Sequence, residues 1–312
     1  MLFEPFFGSG DAGYDFYRPG FGNDTVNGGA GSDWVYAGPG NNTYNLGDGF
    51  DYVDYSEAVT GISVDLELGT VSNNGFYGTD TVSSVEKIIG SPFDDFIVGS
   101  ENPDVAERFV GGDGADFIDG GGGDRDAVDY RGANTGNGIV ADLSQGTVVD
   151  EYGNTDSVNN IEQVFGTSSD DTIIGDANDN RLLGGDGVDV LDGGEGFSDV
   201  WLTNYEETQG VVINLQTGVV DNDGFGNAET ISGFEWVFGS LLDDQITGDD
   251  GDNYLFGDAG NDVIAGGAGF DFLEGSAGGD TFAFDFGNGS DTVLDYNQGE
   301  GDQLQLLSLI HI

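Results

Sequence analysis

The 312 residues include 59 Asp or Glu against six Lys or Arg, a formal charge of −53, with 58 glycines, one histidine and no cysteine. Such a surface repels phosphate, which excludes a nucleic-acid interface, and no thiol exists for a disulfide or a nucleophile. His311, beside the C-terminus, leaves no material for a Ser-His-Asp triad or a multi-histidine zinc site; neither G-x-S-x-G nor H-E-x-x-H occurs, and no apolar run is long enough to cross a membrane as a helix.

Residues 1–53 form the first block. Asp15, Asp24, Asp33, Asn42 and Asp51 recur every nine residues. Each is preceded two positions earlier by Gly13, Gly22, Gly31, Gly40 or Gly49, and followed two positions later by Tyr17, Val26, Val35, Tyr44 or Val53. Three long repeats follow, at 54–128, 129–201 and 202–280. Each opens on an apolar, glycine-poor stretch (Val64-Asp65-Leu66, Ala141-Asp142-Leu143, Ile213-Asn214-Leu215), then a glycine (Gly69, Gly146, Gly218). An acid-hydroxyl-apolar step comes next (Asp80-Thr81-Val82, Asp156-Ser157-Val158, Glu229-Thr230-Ile231), then Glu86, Glu162 or Glu235, and then the acid pairs Asp94-Asp95, Asp170-Asp171 and Asp243-Asp244.

The nine-residue ruler resumes after each glycine-poor stretch, at Asp171, Asn180 and Asp189 and at Asp244, Asn253, Asp262, Asp271 and Asp280. Asp95 and Asp116 hold equivalent places in the first long repeat. Arg125 and Ser198 stand where an acid is expected, so a one-residue bulge is expected to bring Asp126 and Asp199 into place. Glu107 sits in a unit lengthened by about three residues and is not assigned a site. Asp150 lies off the ruler and is expected to take no part. Alternation and frequent glycine, without 3.6-residue periodicity, predict a nearly all-β chain.

The cleanest units read Gly28-Gly29-Ala30-Gly31-Ser32-Asp33-Trp34-Val35, Gly184-Gly185-Asp186-Gly187-Val188-Asp189-Val190-Leu191 and Gly266-Gly267-Ala268-Gly269-Phe270-Asp271-Phe272-Leu273. This resembles the RTX nonapeptide G-G-x-G-x-D-x-U-x. The resemblance implies a parallel β-roll, a β-solenoid with Ca²⁺-binding turns in which each nonamer is half a coil. It pairs Asp15 with Asp33 and Asp33 with Asp51 on one flank, Asp24 with Asn42 on the other, and Asp244 with Asp262 and Asp262 with Asp280 in the last block. Elementary chemistry agrees, because glycines let carbonyls turn inward and a carboxylate beside them completes the oxygen set Ca²⁺ prefers. The candidate metal ligands are Asp15, Gly20, Gly22, Asp24, Gly29, Gly31, Asp33, Asn42, Asp51, Asp95, Asp116, Asp126, Asp171, Asn180, Gly185, Gly187, Asp189, Asp199, Asp244, Asn253, Gly260, Asp262, Gly267, Gly269, Asp271 and Asp280. Asn42, Asn180 and Asn253 offer one neutral oxygen and are expected to make weaker sites. A solvated acidic surface also explains the charge, but not its locking to glycine at a nine-residue period.

Residues 281–312 carry Gly279-Asp280-Thr281-Phe282-Ala283-Phe284, Ser290-Asp291-Thr292-Val293 and Gly301-Asp302-Gln303-Leu304, similar to the C-terminal segment of serralysin-type RTX proteins. This implies a cap, expected to fold over the open end of the roll, followed by an uncleaved signal read by a type I secretion machinery. No basic and apolar leader is visible in Met1–Gly10, so a cleavable signal peptide is not expected. The abrupt start and stop suggest a module of a larger protein. Phe96, Phe117, Trp201, Phe256 and Phe272 suggest either a sugar-binding strip or stacked ladders. The reading is a non-catalytic, extracellular or cell-surface Ca²⁺-binding roll. It serves as a structural segment that associates with itself or with surface polysaccharide, or alternatively as an accessory module of a secreted protease, lipase or alginate epimerase.

Overall fold

The computed structural model describes residues 6–132, 135–201, 208–284 and 289–306; the Trp201 side chain, Phe286 and His311 lie outside the described residues. Among them the chain forms 33 β-strands and no helix. Most strands are three residues long, because glycine interrupts each x-U-x segment before it can extend, and the central residue alone points inward. The chain divides into two compact units, Met1–Tyr130 with Gln145–Gln163, and Arg131–Ser144 with Val164–Ile312.

In the first unit, successive nonamers alternate between two sheets, so strands in one sheet pair at an offset of two nonamers. Thr25–Ala30 lies parallel to Thr43–Asp48 with Val26 opposite Tyr44. In the other sheet Trp34–Tyr36 lies parallel to Tyr52–Asp54 with Val35 opposite Val53. Stacking continues there through Ile88, Phe109 and Val128. The second unit repeats the scheme, with Ile246, Ile264 and Phe282 in one column and Val237, Leu255 and Leu273 in the other. These central residues are fully or almost fully buried, and each stabilises its coil by about 1.5–3 kcal/mol.

The glycine-poor stretches insert an antiparallel strand into the parallel stack. In the first repeat, Thr70–Asn73 runs antiparallel between Ser63–Asp65 and Asp80–Ser83, and those two join the parallel stack through Phe96–Val98 and Thr43–Asp48. Val219–Asn222 does the same between Val212–Asn214 and Glu229–Ser232. The cause is a tight reversal: Asp65 Oδ1 accepts the Leu68 N–H at 2.8 Å and Gly69 adopts φ of 63°. Asn214 and Gly218 reproduce the turn, with φ of 68° at the glycine. This left-handed conformation explains the glycine recurring in every long repeat.

Where a cap over the open end was expected, Thr281–Phe284, Thr292–Val293 and Gln303–Leu306 extend the stack as further rungs. Thr281–Phe284 pairs with Gln303–Leu306 in parallel register, Phe282 opposite Leu304, and Thr292–Val293 pairs with Phe272–Glu274. Thr281-Phe282-Ala283 and Gln303-Leu304-Gln305 keep the x-U-x pattern, so adding a rung satisfies their backbone groups more completely than a crossing would.

Rings of like position stack along the strands. Trp34 and Tyr52 lie 5.0 Å apart and nearly coplanar, and Tyr254 sits between Trp236 and Phe272 at 4.6 and 4.7 Å. Phe96 stacks on Phe117 at 4.8 Å, while Phe256 stacks on Phe238 at 4.9 Å. Phe96 and Phe117 therefore share one ladder while Phe256 and Phe272 stack on other rings, and the faces of all four are turned toward neighbouring rings.

Candidate metal sites

A rail of side-chain to backbone hydrogen bonds runs through the loops. Each loop acid accepts the backbone N–H of its counterpart one coil earlier. Asp33 Oδ1 accepts from Asp15 at 3.0 Å, Asp51 Oδ1 from Asp33 at 2.7 Å, and on the other flank Asn42 Oδ1 accepts from Asp24 at 3.0 Å. Asp116 accepts from Asp95 at 2.8 Å in the same way. In the second unit Asp189 accepts from Asp171, Asp262 from Asp244, Asp280 from Asp262 and Asp271 from Asn253, at 2.8 to 2.9 Å. The expected flank pairings are those the structure brings together.

One oxygen of each carboxylate is thus committed, which leaves the other. The Oδ2 atoms of Asp24, Asp33, Asp51, Asp116, Asp189, Asp262, Asp271 and Asp280 are buried and have no hydrogen-bond partner. Six of them face a glycine cradle, while Pro19 and Leu46 stand at that position before Asp24 and Asp51. A Cβ on Gly28 would collide with Asp33 Oδ2 and the Leu46 carbonyl, and one on Gly257 with Asp262 Oδ2. A Cβ on Gly31, at φ of 114°, would run into the Gly13 carbonyl. Among the described residues no three acidic side chains form a chelating cluster, so carbonyl oxygens must supply much of any ligand set.

Buried oxygen without a partner is costly, and a hard cation with an all-oxygen shell removes the cost. The titration behaviour agrees. Burial, reinforced by neighbouring carboxylates, pushes Asp116 and Asp189 up to about 8 and Asp262 to about 7 despite the backbone N–H each accepts. These groups resist ionising with no cation beside them. The residues present therefore fit Ca²⁺.

Other candidate ligands are satisfied within the chain. Asp95, Asp171 and Asp244 keep the glycine cradle in Gly90, Gly166 and Gly239, but the next residue adds a donor: they accept the N–H and hydroxyl of Ser91, Thr167 and Ser240. Asn42 donates its amide to the Gly38 carbonyl at 2.9 Å, and Asn253 donates to Asp249. Asn180 accepts from Asp176, its amide nitrogen remaining without a partner. Asp15 Oδ2 accepts the Asp11 N–H. Gly20 has open space around it, whereas Gly22, Gly29, Gly185, Gly187, Gly260, Gly267 and Gly269 have positive φ.

Two register expectations part company. Asp126 takes the rail position as expected, accepting from Glu107 at 2.8 Å. Asp199 does not. Ser198 holds the position, accepting from Asn180 and donating to the Gly193 carbonyl, while Asp199 opens the next strand and pairs with Arg181 at 2.7 Å. No bulge forms because the serine hydroxyl is long enough to bridge the coil by itself.

The rail also passes through residues that sequence reasoning left without a role. Glu86, Glu162 and Glu235 accept the N–H of Asp51, Asp126 and Ser198 through Oε2 at 2.8 to 3.0 Å, closing the rail where a nonamer is missing. Asp80 and Asp156 serve Asn42 and Asp116 similarly. Their recurrence in all three long repeats was the signal. The acid pairs have a structural explanation as well. Asp94, Asp170 and Asp243 accept N–H groups of the following coil, from Ala115, Val188 and Asn261, so adjacent acids point along opposite directions of the stack.

The family profile of the RTX calcium-binding nonapeptide repeat, in four copies, matches residues 19–53, 104–124, 165–198, 229–264 and 257–293. The chain carries RTX calcium-binding nonapeptide repeats. Ca²⁺ is accordingly the ion for which these loops are built, and the RTX segments include all eight aspartates with a free buried oxygen. Among curated proteins nothing matches the chain.

Proposed function

We propose that this chain is a secreted Ca²⁺-dependent RTX roll that is largely unfolded where Ca²⁺ is scarce and folds on reaching millimolar Ca²⁺ outside the cell. The observation that carries the reading is the set of eight buried, unpartnered aspartate oxygens in the repeat loops of a chain of net charge −53. Without cations, self-repulsion opposes the compact state; with on the order of ten ions, about twenty charges are neutralised and binding free energy becomes folding free energy. An unfolded acidic chain suits passage through a type I channel, and the folded roll then acts as a structural or interaction segment at the cell surface. The test is far-ultraviolet circular dichroism in chelator, in Ca²⁺ and in Na⁺ of equal ionic strength. A β spectrum in Ca²⁺ alone is expected; equal folding in all three would sink the proposal.

A further inference from the structure

Each long repeat joins its hairpin to a loop at one station: a rail residue, a turn residue, and a strand acid six positions further on. The stations are Asn42, Asn74 and Asp80; Asp116, Asp150 and Asp156; and Asp189, Asp223 and Glu229. The first closes on itself. Asn74 Nδ2 donates to the Gly40 carbonyl at 2.9 Å and to Asp80 Oδ1 at 3.0 Å, and the Tyr55 hydroxyl donates to Asp80 Oδ2 at 3.2 Å. Amide nitrogens stand where positive charge is wanted.

The third station has acids at all three positions. Asp189, Asp223 and Glu229 are 0%, 1% and 3% exposed. Asp223 is committed: Oδ1 accepts from Phe225, Gly226 and Asn227, and Oδ2 from the Asn227 amide at 3.0 Å. Asp189 Oδ2 and Glu229 Oε2 are buried with no partner. Val190 pairs with Thr230 in parallel register and the Thr230 N–H reaches the Asp189 carbonyl at 3.0 Å, so Asp189 and Glu229 head neighbouring strands, while Asn227, held by Asp223, donates to Asp186 of the same loop at 2.7 Å. Two free carboxylate oxygens with a third acid behind them, all out of water, require a counter-ion. Tyr205, the counterpart of Tyr55, lies outside the described residues.

We propose that Asp189 and Glu229, in the field of Asp223, hold an additional Ca²⁺ at the hairpin junction, with carbonyl oxygens or water completing its shell. The proposal rests on the RTX reading but places one carboxylate on a hairpin strand that no G-G-x-G motif precedes. The second station is intermediate. Asp116 Oδ2 is free, whereas Tyr130 covers Asp156 Oδ2 at 3.1 Å, so Asp150, off the nine-residue ruler, is buried beside a metal ligand.

Native mass spectrometry of the full chain titrated with Ca²⁺ counts the ions. Glu229→Gln should bind one ion fewer than the unaltered chain while keeping its β spectrum at saturating Ca²⁺; an unchanged count overturns the proposal. Compared with Asn42→Asp alone, the first repeat carrying Asn42→Asp, Asn74→Asp and Tyr55→Phe, which uncovers Asp80 Oδ2, should bind one further ion, and this gain or its absence decides the matter if Glu229→Gln does not fold. A chain that binds no Ca²⁺ at all would overturn the RTX reading together with the proposal, whereas a chain that loses ions on Asp262→Asn but not on Glu229→Gln overturns the proposal alone.

Discussion

Asp262 separates the two jobs of a rail acid. Its Oδ1 accepts the buried Asp244 N–H at 2.8 Å, its own N–H reaches Asp280 Oδ1 at 2.9 Å, and its Oδ2 is free. Asp262→Asn keeps an oxygen for Asp244 but puts an amide where the free oxygen was. Asp262→Ala also leaves the Asp244 N–H buried and unpaired. A buried donor left without its partner costs about 1–3 kcal/mol. The alanine variant should therefore be less stable than the asparagine variant by about that amount in urea at saturating Ca²⁺. Both should lose Ca²⁺ affinity at the two sites shared with Asp244 and Asp280, by at least about tenfold per site in calorimetric titration, or about 1.4 kcal/mol each. Equal urea midpoints for the two variants would refute the rail. Native Ca²⁺ affinity in Asp262→Asn would refute the metal role of the free oxygen.

Two further outcomes follow from the same geometry. Burial raises Asp116 and Asp189 from 3.8 to about 8, so the metal-free compact state binds more protons than the unfolded chain between those limits, and its stability falls as pH rises from about 4 to about 8. In chelator the chain should be more structured at pH 5 than at pH 8; circular dichroism showing the reverse order would count against buried carboxylates as the controlling groups. Gly31→Ala forces a Cβ onto a residue at φ of 114° against the Gly13 carbonyl and should cost about 1–3 kcal/mol in thermal unfolding with Ca²⁺, while Gly20→Ala meets no neighbour and should be tolerated.

Consecutive residues alone determine the coil. Gly31, Asp33 and Val35 repeat every nine positions, so the loop, the rail acid and the buried strand centre are written locally, and with them the parallel roll, its oxygen ligands and the pairing of Asp33 with Asp51. Only the tertiary structure decides which of these acids keeps an oxygen for a cation. Asp95 and Asp116 look alike on the nine-residue ruler, yet the Ser91 hydroxyl satisfies the first while a glycine leaves the second free. Whether Ser198 or Asp199 bridges a coil depends on side-chain reach across 18 residues, and Asn42 finds Asp80 only because a turn at Gly69 folds the intervening chain into an antiparallel strand. A local period specifies what each residue offers; the partner that takes the offer is set by chain reversals outside the period.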